Sequence, residues 1–325
     1  MVSPEVETAN AVASIVGIPA ARQTDVFADG LVQIVEFDVP EDCTSDILGR
    51  PLREAGVPED SKVVGIIRGN RAVRPDGDAV IEPGDRVIVI ASPEAARVWS
   101  RALALVEHTV DDVVIFGAGK VGTAIARVLL ERGIRVRIVE QNGTRARTVA
   151  EALPKAEVFE SDGLDPEFLE RERIGQAAAA VFAMKDDAKT LYAAVLARLH
   201  GVGLTIGVVN DPASTGVLEK GGVDVAINPR DRVAEELVRF AHDPRILQLA
   251  MLEHDRFEVL DLTVREDSEL AGRPFRELPE TGTIIGAVIR DRHALFPRSD
   301  DVLRSGDRVI VFVESSRATH VEKVL

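Results

Sequence analysis

The strongest constraint on how this chain folds is that it holds one unit and most of a second copy of it. Ser3-Pro4 and Asn228-Pro229 stand 225 residues apart (229 − 4), as do Pro19 and Pro244 (244 − 19). The spacing then closes slightly. Gly49-Arg50-Pro51-Leu52-Arg53 matches Gly272-Arg273-Pro274-Phe275-Arg276 at 223 (272 − 49). Gly84-Asp85-Arg86-Val87-Ile88-Val89 matches Gly306-Asp307-Arg308-Val309-Ile310-Val311 at 222 (306 − 84). Ordered matches that end in an identical six-residue block mean that the two segments fold alike.

Each repeated piece has a physical reading. Ser3 and Asn228 are favourable N-caps followed by proline at the first helical position, so a helix is expected after both. Alternation of apolar and polar residues at 31–37 and 257–262 predicts half-buried strands. Gly84-Asp85 and Gly306-Asp307 are turn residues that feed apolar runs at 87–90 and 309–313. Two small α+β modules are therefore expected, at 31–105 and 250–325. Only the second follows a complete mononucleotide-fold pattern, expected at 110–245. Applied to Gly117, the repeat offset puts the counterpart loop ahead of Met1, so residues 1–30 are expected to be the last helix of a preceding nucleotide domain.

That pattern begins with Val113-Val114-Ile115-Phe116, a short apolar run leading into Gly117-Ala118-Gly119-Lys120-Val121-Gly122. Val121, Ala124, Ile125, Val128 and Leu129 then recur on one helical face. Strand, glycine loop, helix is the setting in which G-x-G-x-x-G cradles nucleotide phosphates. Gly117 is expected to make the tight turn, Gly119 to let a pyrophosphate approach the backbone, and Gly122 to let the helix pack on the strand. Residues 135–140 read as a second strand with an acidic end. Glu140, 18 residues beyond Gly122 (140 − 122), is placed to accept both ribose hydroxyls and to repel a 2′-phosphate, which favours NAD(H) or an adenine nucleotide over NADP. Further strands are expected at 157–160, 179–184, 204–209 and 223–227, with helices at 165–172, 189–200 and 213–220. The fold class is α/β: a Rossmann-like doubly wound parallel sheet flanked by the two modules, its crevice at the strand C-terminal ends. Asp162, Ala183, Met184, Lys185 and Asp186 follow such ends and would rim the crevice.

Composition excludes several classes. The chain carries 39 Lys and Arg against 54 Asp and Glu, a net charge of −15, which disfavours nucleic acid as a partner. No apolar run approaches the roughly 18 residues that span a bilayer. The N-terminus has no basic region followed by an apolar core, and Cys43 is the only cysteine, so a cytoplasmic location is expected. An NAD-dependent oxidoreductase is the alternative reading, since the same loop serves dehydrogenases. Yet Tyr192 has Leu196 four residues on, so no Tyr-x-x-x-Lys pair exists. The histidines (His108, His200, His242, His254, His293 and His320) lack metal-like spacing, and only small modules accompany the nucleotide fold. No catalytic and no metal-ligating residue is assigned. A redox-sensing transcription factor would need a basic recognition helix, which is not evident.

These residues resemble the RCK or KTN domains of potassium-channel and potassium-transporter regulators. The resemblance rests on residues 114–122, Ile138-Val139-Glu140, Glu160-Ser161-Asp162-Gly163-Leu164-Asp165, Asp186-Asp187, Val209-Asn210 and the two Gly-Asp-Arg-Val-Ile-Val blocks, and it covers essentially the whole chain. It implies a non-catalytic regulator that binds NAD(H), ATP or ADP and assembles with copies of itself into a ring, dimeric or tetrameric. It also implies docking on the cytoplasmic side of a membrane-embedded potassium transporter subunit. By position, the cofactor contacts it implies are Gly117, Ala118, Gly119, Lys120, Val121, Gly122, Glu140, Asp162, Ala183 and Met184. The chain departs from the family pattern at Met184 and Lys185, where many members have Thr or Ser. It departs again at Val208, where members carry an Arg that clamps phosphate.

Overall fold

The computed structural model describes residues 3–19, 21–103, 110–230, 245–253, 256–268, 270–277 and 283–325. Pro244, His108, His242 and His254 lie outside the described residues, as does the expected boundary at 105. The chain forms two units. One combines residues up to 22 with 110–230, the other 23–103 with 245–325.

In the first unit, α1 (Pro4–Gly17) precedes a six-stranded parallel sheet: β6 (Asp112–Phe116), β7 (Arg135–Glu140), β8 (Glu157–Glu160), β9 (Ala179–Phe182), β10 (Leu204–Val208) and β11 (Val225–Ile227). Their spatial order is β11-β10-β9-β6-β7-β8, so the winding reverses between β6 and β9. The connecting helices are α3 (Lys120–Glu131), α4 (Gly143–Ala152), α5 (Pro166–Arg171), α6 (Asp187–Leu199) and α7 (Thr215–Lys220). Alternate residues of β6 serve opposite layers. Val113 and Ile115 pack with α1, α3 and α4, while Val114 and Phe116 pack with α5, α6 and α7. Burial on both faces is why these strands read as continuous apolar runs. Asp112 and Arg137, both buried, pair at 2.7 Å at the end of the sheet away from the crevice, and Arg137 also donates to the Glu172 carbonyl at 2.9 Å.

Ser3 starts α1 with Pro4 at its first position, but the Ser3 hydroxyl donates to Glu5 at 2.8 Å instead of accepting a cap bond. A lone 14-residue helix is marginal in water. Tertiary burial holds it: Ala9, Val12, Ala13, Ile15 and Val16 are almost fully covered against the layer that contains α3, and Arg132 of that layer donates to the Ala13 carbonyl at 2.6 Å. Burying Val12, Ile15 and Val16 contributes roughly 5 to 8 kcal/mol before entropy. At the counterpart position Asn228 Oδ1 accepts the Arg230 N–H at 2.8 Å, and most of the helix expected after it lies outside the described residues.

The second unit holds two five-stranded sheets of the same topology. The first is ordered β1 (Ala21–Phe27), β2 (Val32–Asp38), β5 (Arg86–Ala91), β3 (Ser61–Arg68), β4 (Arg71–Val73). The second is ordered β12 (Ile246–Leu252), β13 (Phe257–Thr263), β16 (Arg308–Glu314), β14 (Thr283–Arg290), β15 (His293–Leu295). The first sheet thus begins at Ala21, ahead of the expected boundary at 31. A helix follows each central strand: α2 (Pro93–Leu103) after β5, and α8 (Ala318–Val324) after β16.

The expectation of half-buried strands is corrected. β2 is buried from Ile34 to Phe37 and β13 from Phe257 to Leu262, because both faces of each sheet are covered. One face meets the module's own helix, as where Phe37 stacks 6.5 Å from Trp99 of α2. The other faces meet each other. Ile34, Val64, Ile88 and Ile90 of the first module share a core with Leu252, Val259, Ile310 and Phe312 of the second. The approach is close enough that a Cβ on Gly286 would stand 2.3 Å from Ile90 Cδ1. Lys62 spans the seam, donating to the Ile285 carbonyl at 3.2 Å.

The repeated Gly-Asp-Arg block has one job in both copies. Asp85 receives a two-pronged bond from Arg68 at 2.8 Å and the Glu82 N–H at 2.9 Å; Asp307 receives Arg290 at 2.6 and 2.9 Å and the Arg304 N–H at 2.8 Å. Forked guanidinium–carboxylate pairing combines charge with fixed geometry. The buried aspartate thereby ties the turn before the central strand to the neighbouring strand.

Candidate functional site

The first unit's crevice lies where the winding reverses, above the C-terminal ends of β6, β7, β8 and β9. It encloses about 320 Å3. Phe116 and Phe182, stacked 4.8 Å apart at the ends of adjacent strands, lie at the strand ends that open into it.

Three glycines shape the loop, each for its own reason. Gly117 has φ +103, and a Cβ there would stand 2.5 Å from the Ala183 carbonyl oxygen. Gly122, inside α3, would put a Cβ 2.0 Å from the Gly117 carbonyl oxygen, so its closest neighbour is the loop backbone rather than the strand foreseen from sequence. At Gly119 a Cβ would meet nothing within 4 Å. Gly119 is also the N-cap of α3, a helix with no side-chain cap and no acid in its first turn. Open space in front of uncapped helical N–H groups is the geometry that receives a phosphate.

Glu140, at the end of β7, is 4% exposed. Its Oε2 accepts the Ala118 N–H at 2.9 Å and Arg145 Nη1 at 3.1 Å, and its Oε1 accepts the Asn142 N–H at 2.8 Å. Burial raises the pKa, but these bonds outweigh it and hold the carboxyl below the ordinary range. A carboxylate has about four acceptor positions, so one remains, on Oε1. Glu140 therefore ties the glycine loop to the start of α4, and a second ribose hydroxyl would have to displace Arg145.

The other edges come from β8 and β9. Asp162 follows β8, where its Oδ1 accepts the Leu164 N–H at 3.0 Å. The next residue, Gly163, lies so close to Phe116 that a Cβ would approach its Cδ1 to 2.5 Å. Ala183 and Met184 follow β9. Asn210, beyond β10, fixes that segment by donating to the Met184 and Lys185 carbonyls at 3.1 and 3.2 Å and to Asp187 at 2.9 Å. Burial raises the pKa of Asp187, yet the N–H groups of Asn210 and Asp211 and the Asn210 and Ser214 side chains bring it below the usual range.

Of the expected contacts, Gly117, Gly119, Glu140, Asp162, Ala183 and Met184 line the crevice, as do Lys185 and Asp186. Ala118, Lys120, Val121 and Gly122 do not line it. Ala118 and Gly122 are buried in the loop–helix contact, Val121 packs on the core, and the exposed Lys120 begins α3. Sequence reasoning missed Asn142, Arg145 and Lys189, which also line it. Asn142 caps α4, its Oδ1 accepting the Arg145 N–H at 2.9 Å; an Asn-Gly pair just after an acidic strand end was the available signal. Among the described residues no group of His, Cys, Asp and Glu is placed to hold a metal ion, and no helix is long and apolar enough to cross a membrane.

Comparison with known proteins matches the same divisions. The TrkA-N domain family matches residues 113–229, and the TrkA-C domain family matches 34–102 and 259–325. The chain is 28% identical over 325 residues to a protein of Methanosarcina mazei named Trk system potassium uptake protein TrkA homolog 1, covering 99% of this chain and 72% of that one. It is 29% identical to the TrkA homolog of Archaeoglobus fulgidus (100% and 73% covered) and 29% identical to TrkA of Halomonas elongata (100% and 72%). Among solved structures, the GsuK RCK domain superposes with a TM-score of 0.51 at 17% identity over 98% of this chain and 69% of that one. The GsuK channel bound to NAD does so at 0.51 and 17%, over 98% and 57%. With a TrkA-N domain standing between two TrkA-C domains, the chain belongs to the TrkA family.

Proposed function

We propose that the chain is a nucleotide-binding, non-enzymatic regulatory subunit of a membrane potassium-uptake transporter. NAD(H) or ATP/ADP occupies the crevice, and the chain works within a homo-oligomeric ring docked on the cytoplasmic face of the membrane. The observation that carries this reading is Gly119, which faces open space at the uncapped start of α3 on the edge of a crevice shared with Glu140 and Asp162. Phosphate would sit on the N–H groups at the start of α3, one ribose hydroxyl on the free position of Glu140 Oε1, and the base near Asp162 and Gly163. The relatives' names supply the transport context.

The regulatory step needs a ligand that prefers one arrangement of neighbouring subunits over another. Oxidised and reduced NAD differ in charge at the ring, and ATP and ADP differ by one phosphate. Either difference falls on the β9 side of the crevice. Titration calorimetry with NADH, NAD, ATP and ADP tests the site. Gly119→Val is expected to abolish binding while the chain stays folded; unchanged affinity refutes the assignment. Loss of every nucleotide effect on both assembly and ion flux refutes the regulatory role.

A further inference from the structure

The crevice is polarised in charge. On its β7–β8 side are Glu140 and Asp162, with Arg145 bound to Glu140. On its β9 side are Lys185, Asp186 and Lys189. Asp186 caps α6, its Oδ1 accepting the N–H groups of Ala188 and Lys189 at 3.0 and 3.1 Å. Lys185 and Lys189 are exposed, and among the described residues neither ammonium group has a carboxylate or carbonyl partner. In a chain of net charge −15, two unpaired cations on one wall of a crevice are a local reversal of sign.

We infer that Lys185 and Lys189 are specificity-determining residues that hold the terminal phosphates of a nucleoside triphosphate and favour it over a nicotinamide dinucleotide. The inference rests on the reading of the crevice as a nucleotide site. The order of chemistry along the crevice supports it. Ribose hydroxyls are donors and match the acceptor left on Glu140. The first phosphate belongs on the open N–H groups beside Gly119. What continues across the strand reversal reaches the β9 wall. In a triphosphate that continuation is two more phosphates, which a pair of exposed ammonium groups binds through charge-assisted bonds. In a dinucleotide it is a second ribose and a nicotinamide ring, which offers no phosphate to either lysine. When oxidised, that ring carries a positive charge that both lysines repel.

The test is titration calorimetry of AMP, ATP and NADH at fixed ionic strength against the wild-type chain and the double variant Lys185→Gln/Lys189→Gln. Both side chains are exposed, so the variant is expected to melt with the wild type. ATP affinity is expected to fall about tenfold or more, the loss of at least one charge-assisted bond. AMP, which ends at its first phosphate, is expected to change less than about twofold, and Lys185→Arg/Lys189→Arg to retain most of the ATP affinity. Equal losses for AMP and ATP, no loss for ATP, or a wild type that binds NADH more tightly than ATP overturns the inference. A wild type that binds none of the three overturns the nucleotide reading itself.

Discussion

Gly122→Ala and Gly119→Ala, three residues apart, are expected to have opposite consequences. At Gly122 the new Cβ would stand 2.0 Å from the Gly117 carbonyl oxygen and 3.1 Å from its carbon. Both are backbone atoms, so no rotamer change relieves the contact. Reaching the 3.0 Å that marks the lower limit of real Cβ contacts requires the loop and the start of α3 to separate by about 1 Å. Overpacking of this kind costs typically 1–3 kcal/mol, against roughly 1 kcal/mol that alanine regains over glycine inside a helix and less near its start. A net loss of about 1 to 2 kcal/mol is expected, or about 2 to 8 °C in melting temperature for a unit of this size. At Gly119 the Cβ meets nothing, and the only penalty is the poorer N-cap, about 0.5 to 1 kcal/mol. That Cβ would stand where phosphate is placed, so nucleotide affinity is expected to fall about tenfold or more. Thermal unfolding followed by circular dichroism, with titration calorimetry on the same samples, reads both effects. A Gly122→Ala chain that melts with the wild type would refute the packing argument. A Gly119→Ala chain that binds normally would refute the placement of the phosphate.

Three further outcomes follow from the described contacts. Glu140 has a folded pKa below its ordinary 4.5, so its stabilisation is present above about pH 4.5 and is lost as pH falls through the folded value; Glu140→Gln should therefore melt below the wild type at pH 7, and a gap that fails to narrow in acid would contradict the assignment. Asp85→Ala and Asp307→Ala strand the same guanidinium partner in each module and should each lose about 2 to 3 kcal/mol in urea unfolding, while a loss under about 1 kcal/mol would mean that the fork is not what ties the turn down. Gly286→Ala should destabilise the second unit by about 1 to 3 kcal/mol, and Ile90→Val, which removes the Cδ1 that the new methyl meets at 2.3 Å, should restore part of it; equal effects of Gly286→Ala with and without Ile90→Val would place the strain elsewhere.

Much of the candidate site was legible because a glycine loop is a local device. Its turn, open cap and the start of its helix lie within six residues, and the spacing to Glu140 follows from one strand–helix–strand unit. Arg145 and Lys189 were not legible in the same way. Each lies on a helix whose start had to be placed before its first turn could be assigned to the crevice. α4 went unread because Gly143, Arg145 and Arg147 interrupt its apolar stripe, leaving only Ala146 and Val149 buried along its length.

The sequence by itself determined the repeat, the α/β class of the central domain and the position of the glycine loop. Those properties are written in periodicity and in glycine spacing, which act over a few residues. The tertiary structure decided what covers each exposed-looking face. Alternation in β2 and β13 specified that one side is apolar, yet nothing local revealed that Glu36 and Asp261 on the other side are also buried. That burial depends on two sheets meeting through Ile34, Ile90, Val259 and Phe312, residues brought together from opposite ends of the chain. The docking of α1 on the layer that includes α3 is of the same kind. A hydrophobic stripe states that a partner exists, and only contacts distant in sequence name it.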